Sequence, residues 1–247
     1  MEVSTARNLA NDPLQQTEKL LGFLNDKILK DKNLDLERLD SLLDIAQAIS
    51  DFAGPQIADS LTRSAIVEEL TRKIPQLSNP IDACRLFSKM TVLFASLGKL
   101  EEARFYYENA KTKFDQLPTD SVKGKQKLTA FQMLSVLPFF ACAQAVIGET
   151  EAAERNFSKA ILLSRVFQVH PNSQSMTLRS IAFFQHRAGF WESAFETAGS
   201  IPNPDFRKQT SDELIKPARF ANFKELLIFL NARLLRLKIE LPDLGVD

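Results

Sequence analysis

The sequence predicts an all-α protein, built as an array of antiparallel helix hairpins that ends in a long helix. Two observations predict this class. The 247 residues include only 8 Gly, and neither Asn-Gly nor Asp-Gly occurs, so the tight turns of β-hairpins lack their preferred residues. Helix start signals instead recur about every twenty residues, each followed by apolar residues at three- and four-residue spacing. We expect helices, no strand, and a single domain over residues 1–247.

Residues 1–79 are predicted to form degenerate helical hairpins. Apolar stripes run from Leu14 to Ile28 and from Leu36 to Ile49, and a further helix is expected at about 55–73. Four acidic residues lie on the second stripe's helix, and no histidine accompanies them: Asp35, Glu37, Asp40 and Asp44. They therefore indicate a solvated face and not a metal site.

Cap and proline pairs set further helix starts, as at Asn79-Pro80 and Asn203-Pro204. The predicted helices cover about 80–97, 99–116, 123–147, 149–168, 172–188, 190–199, 204–215 and 218–240. Pro138 must either kink the helix at 123–147 or mark its true start near Val136, and we favour the kink.

A pattern repeats within residues 80–200. Three segments align on glycines, each with alanine five residues after the glycine and a small residue seven before it. The glycines are Gly98, Gly148 and Gly189, the alanines Ala103, Ala153 and Ala194, and the small residues Thr91, Ala141 and Ala182. The first two segments add an aromatic residue, Tyr107 or Phe157, and a poorer match follows Gly54. We expect each glycine to end a helix in a left-handed conformation, and the small residues to let two helices approach.

This pattern resembles the tetratricopeptide repeat family, although the glycines lie 44, 50 and 41 residues apart and the family's repeat has 34. The resemblance implies a right-handed superhelical α-solenoid, with residues 201–247 as C-terminal capping helices. Its first helices would line a groove that binds a protein or peptide. A HEAT-like array is the alternative fold.

Counting from each glycine places two kinds of residue in that groove. The first two units would present Arg85, Ser88 and Val92, then Ser135, Pro138 and Cys142. The third would present a cationic patch with aromatic and Met side chains, which suits an acidic or carboxylate-ended peptide. The predicted partner-binding residues are Arg85, Met176, Arg179, Phe183, His186 and Arg187. Trp191 could anchor a partner, but packing between hairpins is its more ordinary role.

The last helix carries apolar residues that alternate three and four apart: Phe220, Phe223, Leu227, Leu230, Leu234 and Leu237. Such a stripe is either an interface, with a homodimer as one outcome, or the buried face of a capping helix. Further apolar residues at Leu226, Phe229 and Leu235 widen the stripe and favour the cap.

Composition argues against other functions. Zero net charge gives no general attraction to nucleic acid or membrane, and the apolar runs are shorter than a membrane span or a signal sequence requires. The sequence has only two His and two Cys, both cysteines lie in apolar helical patterns, and no phosphate-binding loop occurs. We therefore expect no catalytic, metal or cofactor site. We expect a cytoplasmic, non-enzymatic adaptor, scaffold or regulator. A self-assembling structural subunit is the alternative, and an enzyme is the least supported class.

Overall fold

The computed structural model describes residues 12–28, 35–117, 130–167, 170–216 and 219–241. These residues form helices and turns without a strand, which confirms the all-α prediction. The α-helices are α1 Pro13–Ile28, α2 Leu36–Ala53, α3 Ala58–Thr62, α4 Ala65–Lys73, α5 Pro80–Ser96, α6 Leu100–Asp115, α7 Ala130–Leu134, α8 Leu137–Val146, α9 Thr150–Phe167, α10 Pro171–Arg187, α11 Trp191–Gly199, α12 Pro204–Leu214 and α13 Phe223–Arg236. In the described part of the chain, no helix combines the length and apolar character needed to cross a bilayer.

The cap and proline pairs begin helices as predicted. The Asn203 side-chain oxygen accepts hydrogen bonds from the backbone N–H groups of Asp205 and Phe206, at 2.9 and 3.3 Å. Asn79 caps α5 in the same way, through a 3.0 Å bond from the N–H of Ile81. These bonds satisfy donors that have no partner inside the helix, and proline in the first turn removes one more.

The repeat glycines end helices as predicted. Gly98, Gly148 and Gly189 have φ of 72, 97 and 86°. At each one, the N–H of the following residue bonds back to the carbonyl five residues earlier, at 2.8 to 2.9 Å. This bond closes the last helical turn and reverses the chain.

Two predicted helices are interrupted. The helix predicted at 123–147 is α7 and α8, separated by a turn at Ser135 and Val136, and its first part, 123–129, lies outside the described residues. The favoured kink is therefore wrong, and the alternative of a helix start near Val136 is confirmed: Pro138 lies in the first turn of α8, where its missing N–H loses no helical bond. The helix predicted at 55–73 breaks before Ser64, whose side chain caps α4 through the N–H of Val67.

The chain divides into two compact units. The central unit contains described residues of 78–92 and 100–217, and the terminal unit contains those of 1–77, 93–99 and 218–247. The repeat boundaries predicted at residues 79 and 200 stay predictions.

Small and aromatic residues build the core of the central unit. All six small residues that flank the repeat glycines are 0% exposed: Thr91, Ala103, Ala141, Ala153, Ala182 and Ala194. Tyr107 and Phe157 are buried as well, and Phe140 stacks between Tyr107 and Phe114 at centroid distances of 5.8 and 4.2 Å. Alanines at the helix contacts permit close approach, and the rings fill the space between hairpins.

In the terminal unit, α13 packs antiparallel against α2. The rings of Phe52 and Phe223 lie 5.9 Å apart at one end of the pair. Arg219 forms a 2.8 Å ion pair with Asp51 near that end, and the guanidinium of Arg233 lies 3.9 Å from Asp44 further along. The acidic face of α2 is therefore partly neutralised by arginines from the C-terminal segment.

Candidate functional site

A mixed aromatic and cationic surface crosses helices α5, α8 and α10 of the central unit. The Lys89 ammonium of α5 lies 5.5 Å from the ring centroid of Phe139 on α8. That ring lies 4.5 Å from the ring of Phe184 on α10. All three side chains are half-buried, so each combines a fixed position with an accessible edge. We call Lys89, Phe139 and Phe184 the ladder.

The helix phase explains why these rings face outward. Phe140, the next residue along α8, is 3% exposed and belongs to the core stack, and Ala141 and Cys142 are fully buried. Successive residues in an α-helix point about 100° apart, so Phe139 lies at the edge of the buried face. On α10, Ile181 and Ala182 are buried, which leaves Phe184 at the corresponding edge.

Acidic residues are scarce on the helices that carry the ladder. Helices α7, α8 and α10 contain no Asp or Glu. On α5, Asp82 accepts a 2.7 Å hydrogen bond from Asn79 and lies 4.0 Å from Arg85. Arg85 is half-buried and stands one turn before Lys89. These helices therefore carry a net positive charge, which favours an anionic partner.

Arg179, the centre of the predicted patch, is bound within the chain. Its Nη2 donates to both carboxylate oxygens of Glu213 at 2.9 and 3.0 Å, and its Nη1 donates to Gln209 at 2.9 Å. Its guanidinium also lies 5.5 Å from the Phe183 ring centroid. Arg179 therefore joins α10 to α12, and a carboxylate of this chain already occupies the position predicted for a peptide carboxylate.

Apart from Arg85 on α5, the other predicted partner-binding residues lie on α10, the helix that carries Phe184. Met176 is 60% exposed, and Phe183, His186 and Arg187 are half-buried. Arg187 stands one turn beyond Phe184. Burial raises the pKa of the Cys142 thiol to about 12, and the positive charge of Arg187 opposes this rise.

Four residues expected in the groove are buried: Ser88, Val92, Pro138 and Cys142. Counting back from a glycine assumes a first helix of the family's length and phase, whereas α8 begins anew at Leu137. Both faces of α8 are apolar, so its sequence does not reveal which side is outward. The cation Lys89, beside Arg85 at helical spacing, was the one signal that could have placed the exposed edge on α5.

Trp191 differs from the expectation that it packs between hairpins, because its side chain is 64% exposed. The C-terminal stripe, for which the sequence favours the buried face of a capping helix, is mostly buried within the chain. Five of its six residues are buried in the single chain, and Leu227 is half-buried: Phe220, Phe223, Leu230, Leu234 and Leu237 are the buried ones.

Both cysteines are buried, and burial raises the pKa of Cys84 to about 12 as well. Such thiols are protonated at neutral pH and are poor nucleophiles. Among the described residues, no three His, Cys, Asp or Glu side chains gather in a metal-binding arrangement. An open hollow of about 360 Å³ in the terminal unit is bordered by Asp12, Asp51 and the backbone around Gly54.

No protein-family model matches this chain, and no curated protein or solved structure matches it either.

Proposed function

We propose that this protein is a non-enzymatic protein-interaction module, an adaptor, scaffold or regulator that binds an acidic segment of another protein on the ladder. The observation that carries the proposal is the contact of Lys89 with Phe139 and of Phe139 with Phe184, across α5, α8 and α10. We also propose that the hairpins form a tetratricopeptide-like, right-handed array. The left-handed glycines and the buried small residues support that arrangement.

The ladder offers two kinds of contact to a peptide. The rings of Phe139 and Phe184 provide apolar area that is already held in place, so little side-chain entropy is lost on binding. Lys89, Arg85 and Arg187 provide charge for carboxylates, and a cation beside an aromatic ring is a frequent feature of interface anchors. Met176 adds an adaptable apolar contact at the other end of α10.

Arg179 has a different role in this proposal. A partner carboxylate would have to displace Glu213 from it, so the pair raises the cost of binding there. We assign Arg179 to holding α10 on α12, and the first recognition of the partner to Lys89, Arg85 and Arg187.

Affinity capture with mass spectrometry, comparing wild type with Lys89→Glu, tests the proposal. We expect the captured partner to bind at least about tenfold more weakly to the variant, because one attraction becomes a repulsion. Lys159→Glu is the matched control, since Lys159 is exposed on the second helix α9 and the charge change is the same. Equal capture by wild type and Lys89→Glu, or equal loss in both variants, would contradict the proposal.

Self-assembly through α13 is the second candidate. With the predicted stripe occupied by α2, the helix still exposes Ile228 and Leu235, at 68% and 60%, two turns apart on one face. Light scattering at tens of micromolar tests this candidate, with Ile228→Lys/Leu235→Lys as the variant. A wild-type protein that is monomeric there, or a dimer that survives the double substitution, would reject it.

A further inference from the structure

We infer that α11 carries a second docking surface, whose partner is a basic amphipathic helix. Trp191 is 64% exposed and Phe195 is 41% exposed, one helical turn apart. Glu192 and Glu196 are exposed beside them at the same spacing. The surface therefore consists of two aromatic rings next to two carboxylates, all on one short helix.

The packing of α11 explains why its large residues face solvent. The helix contacts the rest of the central unit through Ala194, Thr197 and Ala198, which are at most 4% exposed. Its largest side chains, Trp191 and Phe195, are only partly covered by that contact. Removing Trp and Phe side chains from water is favourable, so a partner that covers them gains free energy. An exposed apolar patch with a polar edge is typical of an interaction site. Trp is also among the residues most often found at the energetic centre of an interface.

The negative charge of α11 favours a basic partner. Helix α11 contains no Lys, Arg or His, so its exposed face has a charge that nothing on the helix offsets. Among the described residues, neither Glu192 nor Glu196 forms an ion pair. An acidic partner would be repelled, whereas Lys or Arg side chains can reach these carboxylates while apolar residues cover the rings.

The spacing of the Trp191 and Phe195 rings favours a helical partner. Residues four apart lie about 6 Å apart along a helix, so Trp191 and Phe195 match apolar residues at three- and four-residue spacing on a second helix. An amphipathic helix with an apolar stripe and flanking lysines has both features at once. This surface takes a partner of opposite charge to the one proposed for the ladder, and it does not depend on that proposal.

The intrinsic fluorescence of Trp191 tests the inference directly, because it is the only Trp of the chain. The free protein should show the red emission of a water-exposed indole. Titration with a synthetic amphipathic helix of Leu and Lys should shift the emission to the blue and saturate. The same peptide with Glu in place of each Lys should leave the spectrum unchanged. A missing shift with the Lys peptide, or an equal shift with the Glu peptide, would overturn the inference.

Matched variants locate the effect. Glu192→Lys/Glu196→Lys should weaken binding of the Lys peptide at least tenfold, whereas Glu101→Lys/Glu102→Lys should not, although it makes the same charge change on exposed residues of α6. Phe195→Ser should weaken binding without changing the charge. Circular dichroism confirms that each variant is folded. Equal affinity of the two double variants, or full affinity of Phe195→Ser, would contradict a site on α11.

Discussion

Gly148 turns the chain at a φ of 97°, a conformation in which a Cβ strains the backbone even when it has space. Nothing lies within 4 Å of the position that its Cβ would take, so no neighbour would be displaced. Gly22 is the opposite case, because it lies inside α1 without a positive φ and also has free space around it. Crowding is absent at both positions, so the two glycines differ only in whether the backbone conformation strains an added Cβ.

We expect Gly148→Ala to lower the free energy of unfolding by about 1 to 2 kcal/mol, since alanine must adopt the left-handed conformation. We expect Gly22→Ala to raise it by about 0.5 to 1 kcal/mol, since alanine loses less entropy in a helix. Urea unfolding followed by circular dichroism measures both. Changes of the same sign would contradict the assignment of Gly148 to a strained turn.

Tyr107 makes a short hydrogen bond to a carboxylate within the central unit. Its hydroxyl donates to Glu149 at 2.5 Å, and Gln144 donates to the same carboxylate oxygen at 3.2 Å. Burial and the Glu149 carboxylate both raise the pKa of the Tyr107 hydroxyl, so it remains a donor at neutral pH.

Tyr107→Phe should therefore lower the free energy of unfolding by about 1.5 to 3 kcal/mol, the range for a hydrogen bond to a charged group. Combination with Glu149→Gln in a double-mutant cycle checks the cause. We expect the two substitutions to be non-additive by at least about 0.5 kcal/mol, and additive effects would show that the bond contributes little.

At the scale of elements, the two faces of α13 differ in exposure. Its inner face is buried in the terminal unit, as expected of a covering helix, and its outer face keeps the apolar residues that an interface would use. Leu230 is 0% exposed, whereas Ile228, two residues earlier, is 68% exposed. The same helix thus supplies a matched pair of substitutions.

Leu230→Ala should lower the free energy of unfolding by about 2 to 5 kcal/mol, because it removes buried apolar contacts and leaves a cavity. Ile228→Ala should change it by less than about 0.5 kcal/mol. Urea unfolding of both variants gives the comparison. A large loss in Ile228→Ala would mean that the outer face is covered in solution, as the self-assembly candidate requires.

Local signals predicted the elements better than the site. Caps and left-handed glycines act within a few residues, so Asn203 and Gly189 could be assigned from their neighbours alone. The pairing of Asp51 with Arg219 joins residues far apart in the chain, and nothing near either one indicates it. The outward position of Phe139 depends on the break before α8, which the sequence indicated near Val136 only as the less favoured alternative to a kink. Trp191 was assigned to packing because large aromatics usually are buried.

At the scale of the whole molecule, burial of ionisable groups links stability to pH. Burial raises the pKa of Cys84 and of Cys142 from an ordinary value of 9.0 to about 12. Between those values the folded protein keeps its thiol protons while the unfolded chain releases them. The stabilisation is therefore complete below about pH 9 and is lost as the pH rises towards 12.

In that interval each thiol should lower the free energy of unfolding by about 1.4 kcal/mol per pH unit. Urea midpoints at about pH 8 and about pH 10.5 measure the loss, and Cys84→Ala/Cys142→Ala removes this contribution. We expect the double variant to start less stable but to lose less on going to the higher pH. Parallel losses in both proteins would contradict the assignment of this dependence to the thiols.

The terminal unit also sets an order of events during synthesis. Its helix α2 leaves the ribosome roughly 170 positions before its partner α13, which at ~5 to 20 residues per second is a delay of about 10 to 30 s. Throughout that time the α13-binding surface of α2 lacks its cover, while the residues of the central unit are being synthesised. A nascent chain at this stage is the form of the protein that we expect molecular chaperones to bind most readily.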